Sequence, residues 1–289
     1  MDANQDVFNL DEYMALQSDN TTWIWRGVLP YSGSALLFGD AKTGKSKLAL
    51  SLAEAIADES RIEYLGLDVC EHGKVLYIQL DTPRALWKEN YISIIKPGPA
   101  RQGIYTVDRE VATIPTHFDI RRQPEHDWVR RKVDAIKPIL VVIDTVIKLH
   151  KGNENESDTI SQVIDSFISA TLPSALLYLT HKKKQQAGEA GNGTVRGSSA
   201  FAGAVDALIN MSKTKLHIEA RSDVQDEIAI VQLADGTFQL NSREDEITEF
   251  LATLPPTMPA GKMDLAVAEQ FKVTTRTAKT WRLANKEQK

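Results

Sequence analysis

The sequence holds a single cysteine, Cys70, so neither an internal disulfide nor a thiolate metal cluster can be built from it. It has no apolar run approaching the length that crosses a bilayer. Basic charge is not in excess either: 34 Lys and Arg stand against 39 Asp and Glu, for a net charge of −5. An acidic molecule does not collect polyanions over its whole surface, so any contact with nucleic acid must come from a local patch. The opening "MDANQDVFNLDEYMALQSDN" lacks the basic start and apolar centre of a secretory leader, which makes the cytoplasm the expected compartment.

What the 289 residues do contain is a regular alternation. Short apolar runs recur at "ALLF" (35–38), "KVLYIQL" (74–80), "PILVVID" (138–144), "ALLYLT" (175–180) and "AVDALINM" (204–211), separated by helix-like segments. Near-continuous apolar runs are what strands covered on both faces require. The expected fold class is therefore α/β, a mostly parallel twisted sheet flanked by helices. Between 213 and 240, "KLHIEA", "EIAIVQL" and "GTFQL" alternate instead, as antiparallel strands with one wet face do.

Three parts follow from this pattern: an N-terminal arm over 1–30, a core over 31–241 and a small helical unit over 242–289. The last is basic, with seven Lys and Arg against three Asp and Glu from Gly261 onward. Within it "LAVAEQFKVTTRTAKTWRL" has helix-turn-helix spacing, which would offer Arg276, Lys279 and Arg282 to phosphates or bases. The same pattern also fits a helix that docks on a partner or a neighbouring subunit.

The most specific local signal is "LLFGDAKTGKSKLALSLAEAIA", which carries Gly39, Gly44, Lys45 and Ser46 in G-x-x-x-x-G-K-[ST] spacing between a strand and a helix. Main-chain N–H groups can wrap an anion only where the chain turns sharply and approaches closely, hence the glycines. The helix adds its unpaired N-terminal donors and positive dipole end. Gly39, Asp40, Ala41, Lys42, Thr43, Gly44, Lys45, Ser46 and Lys47 are thus candidate nucleotide-phosphate residues, with Lys45 a mobile cation for the outer phosphates. The Ser46 hydroxyl is a candidate Mg²⁺ ligand. A P-loop calls for a carboxylate at the end of a neighbouring buried strand to share the ion, and "PILVVIDT" supplies Asp144. ATP and Mg²⁺ are the expected cofactors.

The order "LLFGDAKTGKS", "VLYIQLDTP", "LVVIDT", "LLYLTHKKK", "RGSSAFAGAVDALINM" resembles the RecA-like P-loop ATPases. Within them it looks like the AAA-type branch that holds the RepA-like hexameric replicative helicases of plasmids and phages. The likeness runs from about Trp25 to Leu240, and "RGSSAFAGAVDA" is its most discriminating part. The resemblance implies several roles. An acidic residue after "VLYI", usually glutamate, polarises the attacking water; this chain has the shorter Asp81 there. Asp81 also fits a helix N-cap ahead of "TPRALWKEN". His181, at the end of "ALLYLT", matches a γ-phosphate sensor, and Arg221 matches an arginine finger donated by the neighbouring subunit, with Lys213 and Lys215 as rivals. The loop "KKKQQAGEAGNGTVR" matches the channel loop that grips single-stranded DNA, through Lys182, Lys183, Lys184 and Arg196. A solvated surface loop is the plainer reading of the same charges.

Three functions fit these residues. The first is a homo-oligomeric, hexameric ATPase motor on single-stranded DNA, a DNA-replication helicase. The second is an ATP-gated DNA-binding regulator or accessory factor that does not displace strands, which the Glu-to-Asp departure favours. The third is a small-molecule kinase, which leaves "RGSSAFAG" and the lysine loop without a role.

Overall fold

The computed structural model describes residues 9–15, 23–91, 93–110, 118–148, 150, 157–182, 201, 203–222, 225–241, 243–271, 275, 278–279 and 282. A short helix α1 (Leu10–Ala15) precedes two small hairpins, β1 (Trp23–Trp25) with β2 (Leu29–Pro30) and β4 (Glu63–Tyr64) with β5 (Leu67–Asp68). The remaining strands are β3 (Ser34–Gly39), β6 (Val75–Gln79), β7 (Ile104–Asp108), β8 (Leu140–Asp144), β9 (Ala175–His181), β10 (Ala207–Met211), β11 (Lys215–Ala220), β12 (Gln225–Gln232) and β13 (Phe238–Leu240). They form one nine-stranded sheet in the order β13-β12-β11-β10-β3-β9-β8-β6-β7. From β10 to β7 every neighbouring pair is parallel, whereas β11, β12 and β13 are added antiparallel. This is the mostly parallel α/β sheet expected from the apolar runs.

Helices α2 (Lys45–Ala57), α3 (Arg84–Tyr91), α4 (Pro99–Gly103), α5 (Gln123–Ile136) and α6 (Ser157–Thr171) cover the two faces. Alternate strand residues sort accordingly. Leu37, Val75, Tyr77, Val142 and Leu177 join the cluster that contains α2. Leu36, Leu76, Ile78, Val141 and Ile143 join the one that contains Trp128 and Val133 of α5 and Phe167 of α6. Full burial of one such side chain is worth about 1.5–3 kcal/mol. A one-residue slip would exchange every contact between faces, so the register is strongly specified.

Two places add to the sequence reading. From Trp23 onward the N-terminal segment is anchored: Ile24 and Trp25 lie in the core, and the Trp25 indole donates to the Tyr64 carbonyl at 3.1 Å. At the other end, α7 (Arg243–Thr253) and α8 (Ala260–Phe271) meet through Phe250 and Phe271, whose rings are 5.7 Å apart. Arg282 is turned inward to a buried ion pair with Asp264 at 2.5 Å, so it is not a side chain held out for phosphates. Arg276 lies outside the described residues.

Candidate nucleotide-binding and catalytic site

The carboxyl ends of four adjacent parallel strands, β3, β9, β8 and β6, bring the candidate residues together. Register pairs Gly39 with His181 across β3 and β9, and Asp144 with Gln79 across β8 and β6. In open α/β sheets, ligands bind at this edge of the strands. A cavity of about 390 Å³ opens there, lined among others by Lys45, Ser46, Asp81, Asp144 and His181.

The loop between β3 and α2 has the backbone that its glycines permit. Gly44 holds φ at +100° at the start of α2 and provides no side-chain cap, leaving the N–H groups of the first turn for an external acceptor. Gly39 is packed so tightly that a Cβ would stand 2.2 Å from the Met211 carbonyl oxygen. Lys42 also adopts positive φ, at 63°, and the Thr43 hydroxyl donates to the Asp40 carbonyl at 3.0 Å, closing the turn.

Lys45 is buried, and its ammonium donates to the carbonyls of Gly39 at 3.1 Å and Asp40 at 2.7 Å. His181 Nδ1 lies 3.3 Å from the same Nζ. Burial lowers the Lys45 pKa to about 8, while Asp144 and Asp40 oppose that fall. Asp144 is buried too, which pushes its carboxyl above the usual range; hydrogen bonds from Ser46 and Tyr77 resist that shift. The Tyr77 hydroxyl donates to Asp144 Oδ2 at 2.9 Å.

Asp81 lines the same cavity, but half of its side chain is exposed and Oδ1 pairs with Lys148 Nζ at 3.3 Å. It is not the helix cap that its position allows: α3 begins at Arg84, whose N–H donates to Glu110 Oε1 at 2.9 Å. Lys182 begins at the site, its N–H donating to the Gly39 carbonyl at 3.1 Å. Lys183, Lys184 and Arg196 lie outside the described residues.

Arg221 is not in this group. β10 runs parallel to β3 with Ala207 beside Ala35, and β11 returns antiparallel with Ala220 beside Ala207. Arg221 therefore emerges at the sheet edge opposite the P-loop, where its guanidinium donates to the Gly203 carbonyl at 2.7 Å and Asp206 Oδ1 at 3.4 Å. Lys213 and Lys215 follow the Met211 end of β10, the P-loop edge, and Lys215 is paired with Glu227 at 2.6 Å.

Motif reading passed over two residues of the site, Tyr77 and Gln79. The available signal was a hydroxyl and an amide inside the otherwise aliphatic run "KVLYIQL". Buried polar groups in such a strand are retained only where something satisfies them.

The donor set fits a magnesium nucleotide: an uncapped helix N-terminus and Lys45 for phosphate oxygens, and Ser46 beside a buried Asp144 whose charge a divalent ion would offset. The sheet order and this edge are those of a RecA-like P-loop fold. The model of an AAA domain matches residues 5–187, and the chain belongs to that family. Among solved structures it is similar to a KaiC-like protein from the hyperthermophilic archaeon Pyrococcus horikoshii OT3. That likeness has a TM-score of 0.51 at 11% identity, over 75% of this chain and 93% of the other, and speaks for the fold. No curated protein matches the sequence. No helix among the described residues is long and apolar enough to cross a membrane.

Proposed function

We propose that the protein is a magnesium- and ATP-dependent motor that assembles as a homo-oligomeric ring, a hexamer by its resemblance. It acts on single-stranded DNA in the manner of plasmid and phage replicative helicases. Lys45 and the main chain of 39–46 bind the phosphates, and Ser46 and Asp144 hold Mg²⁺, which draws charge from the outer phosphates. Asp81 orients the attacking water and accepts its proton, His181 reads the terminal phosphate, and Arg221 serves the site of the neighbouring subunit.

The observation that carries this reading is the path of the chain. His181 touches the P-loop lysine, and the next residue, Lys182, is hydrogen-bonded to the P-loop strand while opening the basic segment 182–196. Loss of a phosphate beside His181 is thereby coupled to a group of cations suited to a DNA backbone. Arg221 lies remote from its own P-loop, so the finger role requires the phosphates of another copy.

A second reading, an ATP-gated regulator without strand displacement, draws on the Asp81–Lys148 ion pair, which occupies the shorter acid. One set of measurements separates the two: ATP hydrolysis with and without single-stranded DNA, then displacement of a strand from a forked duplex. The motor is expected to be stimulated and to displace. Neutralising Lys183 and Lys184 together is expected to weaken DNA binding and flatten its salt dependence, with basal hydrolysis unchanged. DNA binding without displacement supports the regulator, and indifference to DNA removes both.

A further inference from the structure

Gln79 ends β6, between Asp144 of β8 and Asp108 of β7 in register, and is 2% exposed. Its Oε1 accepts the Thr82 main-chain N–H at 3.2 Å. A main-chain nitrogen can only donate, so the amide cannot be turned over without setting donor against donor. That fixes Nε2, with its two hydrogens, on the other side of the amide. Among the described residues this nitrogen is buried and has no hydrogen-bond partner. Gln79 lines the cavity it shares with Lys45, Ser46, Asp81, Asp144 and His181.

An aliphatic side chain would suit this place better if nothing came to it, as Leu76 and Ile78 of the same strand illustrate. The missing partner must be an acceptor. An amide NH₂ neither ligates a cation nor takes up a proton, which excludes Mg²⁺ and the role of base. The acceptors that this cavity is fitted to receive are phosphate oxygens. The P-loop and the start of α2 lie on β3, while Gln79 lies beyond Asp144, on the third strand away. It is thus remote from the elements that hold the inner phosphates.

We propose that Gln79 is a ligand of the terminal phosphate, donating from Nε2 to a γ-phosphate oxygen and so distinguishing ATP from ADP. This rests on reading the cavity as an ATP site. The other end of the amide is tied to Thr82, so occupancy by a triphosphate also fixes the 79–82 turn that carries Asp81. The Asp81 carbonyl in that turn already accepts Arg109 at 3.4 Å, and Arg84 just beyond it is clamped to Asp108 at 2.6 and 2.9 Å. The turn is thus braced on its outer side and takes its inner brace from the nucleotide.

The test is the ratio of affinities for a non-hydrolysable ATP analogue and for ADP, each with Mg²⁺, in wild type and in Gln79→Glu. This variant keeps the acceptor for Thr82 and the side-chain length, removes both donors and sets a negative charge toward the phosphate. The expected result is a loss of affinity for the ATP analogue about tenfold to a hundredfold greater than the loss for ADP. A purely structural role would weaken both nucleotides equally in Gln79→Leu, which adds no charge to repel the extra phosphate. If Gln79→Glu does not fold, Gln79→Leu reads the same ratio without the added charge. Equal losses, or none, overturn the assignment of Gln79 while leaving the site intact; a wild type that binds neither nucleotide removes the ATP site and this inference together.

Discussion

Lys45 concentrates the electrostatics of the site. An ordinary lysine titrates near 10.5, but this one is brought to about 8 by burial, with Lys182 adding to the fall. A polyphosphate beside Nζ favours the protonated form, so the bound pKa lies above the free one. Below about pH 8 the proton is already in place and affinity is insensitive to pH. Above it, binding must take up one proton, and affinity for ADP or ATP is expected to fall by up to about tenfold per pH unit until the bound form also titrates. Titration calorimetry in buffers of different ionisation enthalpy would detect this proton uptake. Lys45→Arg, which stays charged, should lose the pH dependence, and its persistence there would assign it to another group. Lys45 and Ser46 were legible from the glycine spacing before α2, and Asp144 from its place at the end of an apolar run. Tyr77 and Gln79 were not, because what makes them matter is which neighbour the sheet supplies: Asp144 for the Tyr77 hydroxyl, and a cavity for the Gln79 amide.

At the level of elements, β3 is bound on both sides by parallel strands and leads into the phosphate loop, so its last residue has no freedom in size. Gly39→Ala would drive a methyl into the Met211 carbonyl of β10. It is expected to cost about 1–3 kcal/mol or more in urea unfolding, with loss of nucleotide binding as the loop shifts. Gly261→Ala is the matched control: nothing lies within 4 Å of a Cβ there, and an early position in α8 should gain about 0.5–1 kcal/mol from alanine. An unchanged midpoint for Gly39→Ala would mean that β3 and β10 separate more easily than their register implies. The buried strands were legible as apolar runs. β7 was not, because it is the edge strand, and "IYTVD" carries exposed Tyr105 and Thr106 where a central strand would be aliphatic. The β1–β2 hairpin was hidden among polar neighbours for a related reason: only Ile24, Trp25, Val28 and Leu29 of that stretch reach the core.

For the whole molecule, the decisive separation is between the P-loop edge of the sheet and the edge that carries Arg221. If Arg221 completes a neighbour's site, Arg221→Ala should bind nucleotide normally yet hydrolyse it roughly 10³-fold more slowly. Lys45→Ala should fail for the complementary reason. Mixing the two inactive variants would create interfaces with an intact P-loop on one side and an intact Arg221 on the other, and hydrolysis should return. Absence of recovery, with mixed oligomers demonstrated, would leave Arg221 as the partner of Asp206 and Gly203 and nothing more. The sequence by itself determined the α/β class, the glycine-bounded turn between β3 and α2 and the carboxylate at the end of β8, because apolar periodicity and a fixed glycine spacing are local properties of a chain. Only the tertiary structure decided that Asp81 turns to Lys148, that Arg282 is committed to Asp264, that Arg221 lies far from its own P-loop and that Gln79 has a donor to spare. Those facts depend on which strands lie side by side and which groups they leave unpaired, and no stretch of sequence carries that information alone.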